Sequence, residues 1–232
     1  MTYTPTIYDW PTACEPIDQV FRAAGQAIQG GMLLGGAMAQ NPEPGGAAEL
    51  LMSFAAFVTP QANLEASWLM SRITNGAIMR VKLWNTVQLV PWADLDITDT
   101  GQTWLDGGAW ENGSYWQTSP YAPVTASASK GAETVIVDCS IPGRVLSRGH
   151  VIGFRVGDYD FAHIIMAVSY DGDDRATLTI APPLRRGLTT SNRLFYWPSM
   201  LVTCRNAPEV AGQFRRGLHV QLNSAKLVEA LV

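Results

Sequence analysis

The sequence predicts a mainly β protein with one helix, and two observations lead to that fold class. In residues 145–196, three runs alternate apolar and polar side chains with a period of two, which is the pattern of strands that bury one face. In residues 48–83, a strand pattern, a helix pattern and a second strand pattern follow one another. The chain therefore combines a compact α+β unit with an all-β unit.

The N-terminal part begins with an extended segment and continues with strand patterns. Residues 1–16 contain several prolines and little periodicity, so they predict an extended arm or an edge segment. Residues 19–29 fit a helix or a strand equally well, and residues 41–46 predict a loop. Residues 48–58 predict a strand with Leu50 on its apolar side.

One helix is predicted with clear boundaries. Asn63 is a favourable N-cap, and Glu65 in the first turn would interact well with the helix dipole. Asn75 and Gly76 predict the end of the helix, because both residues readily adopt the left-handed conformation. A strand is expected to follow over residues 78–83. The apolar stripe of the helix comprises Leu64, Trp68, Leu69, Met70 and Ile73.

The all-β unit contains three predicted strands before a proline corner. The first covers residues 151–156, and the second covers 162–170. The third follows a tight turn at the Asp-Gly pair 171–172, where both residue types tolerate positive φ. The Pro-Pro pair 182–183 ends the sheet, because proline donates no backbone hydrogen bond. The side chains expected to face the core are Ile152, Phe154, Val156, Ile164, Met166, Val168, Tyr170, Ala176, Leu178 and Ile180.

Two further strands are predicted near the C-terminus. They cover residues 200–205 and 214–222, where apolar positions again alternate with polar ones. The last residues, 225–232, are apolar enough to dock onto the folded protein.

Composition narrows the classes of function. The formal net charge is −4, and the 16 lysine and arginine residues are scattered, which argues against nucleic-acid binding. Charged residues make up 16% of the chain, below the roughly 25% of ordinary soluble domains. An under-charged surface is typical of a protein that buries much of itself against neighbouring molecules.

Other sequence features indicate the cellular compartment in which the protein folds and assembles. The N-terminus shows neither the basic nor the apolar region of a signal peptide, and we expect no membrane span. The chain contains Cys14, Cys139 and Cys204, and an odd number of cysteines excludes complete internal pairing. We therefore expect free thiols and assembly in a reducing cytoplasm.

A glycine-rich segment with many aromatic side chains separates the two units. Each aromatic cluster follows a glycine turn, in a loose repeat. Such residues are enriched in protein interfaces, and they also stack on sugar rings. We predict a protein interface, and the alternative is a carbohydrate-binding platform. The aromatic residues are Trp104, Trp110, Tyr115, Trp116 and Tyr121.

The remaining candidate groups give weak signals for chemistry. We expect Arg185 and Arg186 either to bind a carboxylate of a partner or to form a charged corner that prevents pairing of sheet edges. Cys139 and His150 could form the Cys-His pair of a small hydrolase, although no orienting third group accompanies them. His163 is expected to be a surface or half-buried strand residue.

A group of aspartates in two loops is the best candidate for binding a hard cation. Their spacing misses the calcium-loop pattern, so they are expected to be solvated turn residues. We therefore expect no catalytic residue, no cofactor and no metal ion. The aspartates are Asp158, Asp160, Asp171, Asp173 and Asp174.

The order of these features resembles the distal tail proteins of long-tailed bacteriophages and of gene transfer agents. The likeness lies in a helix followed by an Asn-Gly pair and a strand, the glycine-aromatic repeat, a sheet ending in a Pro-Pro-Leu-Arg corner, and a C-terminal strand region. These features occupy, in order, residues 63–83, 104–137, 146–187 and 200–231.

The resemblance implies an architecture and a role. It implies a ring-forming β-rich first domain from residues 1–90 and 198–232, a linker over 91–125, and an inserted small β-barrel or sandwich over 126–197. It implies a non-enzymatic structural protein at the virion tail tip, assembled in the host cytoplasm. The implied partners are further copies of itself in a ring, six-fold in related tails, together with the tail tube protein and the tail hub and receptor-binding proteins.

The carbohydrate-binding alternative has a direct test. If it holds, Trp110→Ala or Trp116→Ala abolishes retention on a glycan while leaving assembly intact, because stacking on the indole rings would supply the binding energy. A glycan array with the wild-type chain and both variants measures this. An array without binding by the wild-type chain contradicts the alternative.

Overall fold

The computed structural model describes residues 6–23, 27–32, 38–42, 46–83, 121–140, 143–210, 213–215 and 219–230. Within these residues the protein is mainly β, as the sequence predicts. One long helix, α1 (Pro60–Thr74), and one short helix, α2 (Ala207–Val210), accompany the strands. The strands are β1 (Ile7–Asp9), β2 (Asp18–Arg22), β3 (Ala27–Met32), β4 (Met38–Pro42), β5 (Glu49–Ser53), β6 (Ala56–Phe57), β7 (Ile78–Lys82), β8 (Tyr121–Pro123), β9 (Thr134–Asp138), β10 (Val151–Val156), β11 (Tyr159–Tyr170), β12 (Arg175–Ala181), β13 (Arg193–Phe195), β14 (Ser199–Cys204), β15 (Gln213–Arg215), β16 (His219–Gln221) and β17 (Ala225–Glu229).

The chain divides into two compact units. Unit 1 comprises Met1–Leu83 and Ser199–Val232, and unit 2 comprises Trp84–Pro198. The main sheet of unit 1 has the strand order β1-β7-β14-β17-β5-β2, in which β1 and β7 are parallel and the other neighbours are antiparallel. The last strand of the chain, β17, therefore lies inside the sheet, between strands from both parts of the unit.

The helix α1 begins earlier than the sequence predicts. Thr59 is the N-cap, and its Oγ1 accepts a hydrogen bond from the backbone N–H of Ala62 at 3.2 Å. Pro60 occupies the first helical position, where its fixed φ suits the helix. The predicted N-cap, Asn63, is wrong, because its own N–H already donates to the Thr59 carbonyl inside the helix. Glu65 consequently lies beyond the first turn.

The C-terminal end of α1 confirms the prediction. Asn75 is the C-cap, and Gly76 follows with a φ of +71°, a conformation that glycine adopts without strain. The helix buries Leu69, Met70 and Ile73, as expected, but leaves Leu64 and Trp68 exposed on another face.

Unit 2 is built around one curled sheet. Its strand order is β8-β13-β10-β11-β12-β9, with every neighbouring pair antiparallel. A bridge between Val124 and Val137 joins its two edges, and the N–H of Thr125 donates to the Ile136 carbonyl at 2.9 Å. The sheet is therefore partly closed into a small barrel. Its first strand, β8, lies within the range that the sequence predicts as linker.

The barrel interior is filled by apolar side chains from all its strands. Ala176, Leu178 and Ile180 face inward, as their alternation predicts. The ladder of β12 ends at Ala181, before the predicted proline corner. The largest fully buried side chains of this core are Leu146, Ile152, Phe154, Ile165, Leu178, Leu194 and Tyr196.

An irregularity in β11 reverses part of the predicted pattern. The register with β12 shifts between Ile165 and Ala167. Such a bulge changes which alternate side chains face the core. Ile165, before the shift, is fully buried, Val168 and Tyr170, after it, pack against the core as predicted, and Met166, which the sequence places in the core, is 46% exposed.

The hairpin between β11 and β12 also differs from the prediction. The positive φ lies at Asp174 (57°), not at the predicted Asp-Gly pair 171–172. The Asp171 carboxylate accepts hydrogen bonds from the N–H groups of Asp173 and Arg175, which allows a longer loop. Near the C-terminus, the single strand predicted over 214–222 is two strands, β15 and β16, which pair antiparallel.

The close packing of Pro198 against Gly153 can be tested by a substitution that adds a methyl group. A Cβ atom at this position would lie 2.8 Å from the Pro198 Cβ and 3.0 Å from the Pro198 Cα. We expect Gly153→Ala to lower the free energy of unfolding by about 1–3 kcal/mol, because the core must shift to accept the methyl group. Urea unfolding followed by fluorescence measures the change.

The matched control is Gly172→Ala, where no atom lies within 4 Å of the new Cβ. It is expected to change stability by no more than about 0.5 kcal/mol. Equal stability of the Gly153→Ala variant and the wild-type protein would contradict the described packing.

Candidate interaction surfaces

The structure describes three of the residues that the sequence assigns to an interface: Tyr121, Arg185 and Arg186. The other four, Trp104, Trp110, Tyr115 and Trp116, lie outside the described residues.

Tyr121 belongs to an outward-facing row on the barrel in which two aromatic side chains lie between two arginine side chains. The guanidinium of Arg193 lies 4.1 Å from the centre of the Tyr121 ring. The Tyr121 and Phe195 rings meet edge to face, with 6.3 Å between their centroids. The Arg155 guanidinium lies 5.7 Å from the Phe195 ring. We call Arg193, Tyr121, Phe195 and Arg155 the barrel stack.

Strand pairing explains how the barrel stack forms. Tyr121 and Phe195 are direct partners on β8 and β13, and Arg155 is paired with Asp160 across β10 and β11. Arg155 Nε donates to Asp160 Oδ1 at 2.5 Å, and this carboxylate is only 4% exposed. The charge-assisted bond holds the guanidinium of Arg155 in place.

Of the barrel stack, only Tyr121 is among the residues predicted from the sequence, although the sequence contains a signal for two more. Arg193 and Phe195 flank the buried Leu194, so the period of two places them together on the outer face. Contacts such as these give about 0.5–1 kcal/mol each at exposed sites, and they restrict the side chains to one arrangement.

The two arginines of the proline corner have different surroundings. The Arg186 guanidinium lies 3.6 Å from the centre of the Tyr159 ring. Arg185 instead acts electrostatically on His163, whose pKa it helps to lower. Both arginines are half-buried. Their predicted contact with a partner's carboxylate stays a prediction.

Unit 1 carries a second aromatic and cationic surface, on α1. Leu64, Trp68 and Arg72 follow one another at intervals of four residues and so share one face of the helix. The Arg72 guanidinium lies 4.6 Å from the Tyr8 ring and 5.6 Å from the Trp68 ring. Tyr8 and Trp68 meet edge to face at 5.9 Å. Leu64 is 69% exposed.

His163 is not the surface or half-buried residue that the sequence predicts. Its side chain has no solvent exposure and contacts the Phe154 ring. Its Nδ1–H donates to the Pro182 carbonyl at 2.7 Å. Burial lowers the pKa of His163 to about 4, the hydrogen bond to Pro182 opposes this shift, and Arg185 adds to it. His163 is therefore neutral at pH 7.

The Cys139 and His150 side chains are poorly suited to nucleophilic catalysis. Cys139 is fully buried, and burial raises the pKa of its thiol to about 11, so the reactive thiolate is scarce at neutral pH. His150 Nδ1 accepts a hydrogen bond from the N–H of Ser147 at 3.0 Å. Burial lowers the pKa of His150.

The aspartates in the two loops differ in their surroundings. Asp158, Asp171 and Asp173 are exposed, as expected of solvated turn residues. Asp160 and Asp174 instead form ion pairs, with Arg155 and Arg144. Among the described residues, no group of His, Cys, Asp and Glu side chains could hold a metal ion.

Neither helix in the described part of the chain has the length and apolar character needed to cross a membrane.

In comparisons with known proteins, no family model matches the sequence, and no curated protein shows significant similarity.

Burial of His163 predicts a defined loss of stability in acid. The folded-state pKa of about 4 lies below the ordinary histidine pKa of 6.5, so the stabilisation is complete above pH 6.5 and is lost as the pH falls towards 4. The expected loss is about 3 kcal/mol, because the unfolded chain binds the proton more readily. Urea unfolding at several pH values measures it.

His163→Asn is the informative variant, because asparagine keeps an N–H donor for the Pro182 carbonyl but does not titrate. We expect this variant to lose much less stability between pH 6.5 and pH 4 than the wild-type protein. His150→Asn, at a half-buried site, is the control and should change the pH dependence less. Identical pH dependence in the wild type and the His163→Asn variant would contradict this role of His163.

Proposed function

We propose that this chain is a structural protein of a bacteriophage tail tip. Copies form a ring that joins the tail tube to the hub and receptor-binding components. The observation that carries the proposal is the position of the most exposed large apolar side chains. Among the described residues, all of them except Met166 lie in unit 1: Ile17, Val20, Val58, Leu64 and Trp68.

Exposed apolar area on a weakly charged protein supports self-association. Ile17, Val58 and Leu64 are each at least 66% exposed, so each leaves most of its hydrocarbon in water. Covering such side chains gives about 25 cal/mol for each Å² removed from water. A neighbouring copy would remove this area, and unit 1 is the part of the chain that the resemblance assigns to the ring.

The architecture gives a second line of support. Unit 1 is assembled from residues near both ends of the chain, and unit 2 is a small, partly closed barrel between them in sequence. The same arrangement is implied by the resemblance to distal tail proteins. In this proposal, unit 1 forms the ring and the barrel stack of unit 2 contacts the hub or receptor-binding proteins.

The barrel stack fits a protein contact better than a sugar contact. Arginine and tyrosine are both enriched in protein interfaces. The Arg193 guanidinium covers one face of the Tyr121 ring at 4.1 Å, and a stacked sugar would need a free ring face. This contact favours the interface over the carbohydrate-binding alternative at the one described member of the aromatic set.

Assembly of the purified chain tests the proposal. We expect closed rings of one size, because a ring-forming protein repeats the same contact until it closes. Native mass spectrometry gives the copy number, and negative-stain electron microscopy shows the closure. A tagged copy in purified particles should lie at the tail tip. A chain that stays monomeric at every concentration and is absent from tail ends would contradict the proposal.

A further inference from the structure

We propose that unit 1 binds a second copy of this chain head to tail, through two complementary surfaces associated with opposite edges of its main sheet. This inference rests on the proposed ring. It adds the two surfaces that meet, the charges that select them and the kind of symmetry that results.

The first surface, called the β2 surface, lies at one edge of the sheet. Ile17 is 71% exposed directly before β2, and Val20 is 43% exposed within it. Glu15 and Asp18 are exposed on either side of Ile17. The β2 surface therefore combines apolar side chains with negative charge, and β2 has a sheet partner on only one side among the described strands.

The second surface, called the α1 surface, consists of Leu64, Trp68, Arg72 and Tyr8. Leu64 is 69% exposed. Arg72 lies against the Tyr8 and Trp68 rings. Tyr8 belongs to β1, the strand at the edge opposite β2. The α1 surface therefore combines apolar side chains with positive charge.

Charge makes the two surfaces complementary. Among the described residues, Arg72 contacts aromatic rings but forms no ion pair, and Glu15 and Asp18 form none either. The uncommitted charges of the two surfaces have opposite signs. Opposite charges beside apolar patches align two proteins during association and disfavour incorrect pairings.

The neighbouring charges do not cancel this complementarity. Asp9 beside Tyr8 is paired with Arg80 at 3.2 Å. Glu65 on α1 keeps its negative charge: burial raises the pKa of the Cys14 thiol, this charge raises it further, and the Glu65 carboxylate accepts a hydrogen bond from Gln61 at 2.7 Å. Arg22 is exposed, but it lies at the end of β2 farther from Glu15.

Exposure and charge select a head-to-tail contact. The sheet curls so that the Gln19 side chain of β2 donates to the Lys82 carbonyl of β7 at 3.1 Å, but the apolar side chains of both surfaces remain exposed, so one copy does not cover its own surfaces. A symmetric contact of the β2 surface with itself would bring Glu15 and Asp18 against their own equivalents. A contact between different surfaces repeats with a fixed rotation, and it closes into a ring or continues as a filament.

Paired variants of the full chain test the contact. Ile17→Asp damages only the β2 surface, and Leu64→Asp damages only the α1 surface. We expect each variant alone to raise the concentration needed for half-assembly by about tenfold or more, because a charge enters an apolar contact. Met166→Asp makes the same kind of change at an exposed site of unit 2 and is the control. Circular dichroism confirms that all variants fold.

Mixing the two variants provides the decisive readout. Each chain retains one intact surface, so an equimolar mixture should give one-to-one dimers that grow no further. Native mass spectrometry separates such dimers from monomers and rings, since the variants can be mass-labelled. A mixture that remains monomeric would overturn the head-to-tail assignment.

Charge reversal tests the electrostatic part. Arg72→Glu should weaken assembly, and Glu15→Lys with Asp18→Lys in the same chain should restore it, because every copy carries both surfaces. Arg148→Glu, at an exposed site of unit 2, is the control. Failure of the reversed acidic pair to restore assembly would overturn the proposed pairing of these charges.

The outcomes distinguish this inference from the proposed function. If the wild-type chain forms rings and the Ile17→Asp and Leu64→Asp variants form them equally well, the surfaces are wrong and the ring stands. If the wild-type chain never assembles, the ring and the surfaces are both contradicted.

Discussion

The position of β17 inside the main sheet is the constraint on which unit 1 depends. This last described strand pairs with β14 on one side and with β5 on the other, so the sheet is continuous only when the C-terminal region is in place. Glu229 strengthens the connection, because its Oε2 accepts from the Ala48 N–H at 3.0 Å while its own N–H donates to the Ala48 carbonyl at 2.8 Å. A carboxylate that is 5% exposed tolerates burial when it is hydrogen-bonded in this way. Folding of unit 1 therefore requires both parts of the chain.

This constraint also determines which surfaces remain open. With β17 and its neighbours in the interior, β1 and β2 become the edges of the sheet. Edge strands and the helix beside them carry the apolar side chains that the core does not use. An isolated protein normally protects such edges with charge or proline, and here charge and apolar side chains occur together. With β7, β14, β17 and β5 in the interior, the sheet has two different edge strands, β1 and β2, and the proposed contact between copies uses the surfaces associated with them.

Much of the local structure could be predicted from the sequence, and the exceptions have physical causes. Alternation located β10 and β12, and the Asn75-Gly76 pair located the end of α1, because these signals are local. The bulge in β11 exposed Met166, since one extra residue reverses the alternation. Thr59 replaced Asn63 as N-cap because Pro60 favours the first helical position. Burial of His163 depends on the distant Pro182 carbonyl, and the barrel stack depends on pairing between separate strands, neither of which a local pattern encodes.

The central claim is that unit 1 works by contact with copies of itself. A cryo-electron microscopy map of the assembled wild-type chain, at a resolution that shows side chains, tests this most directly. The account predicts density in which Ile17 and Val20 of one copy lie against Leu64 and Trp68 of the next, with Arg72 near Glu15 or Asp18. An assembly in which these side chains all remain in solvent would contradict it.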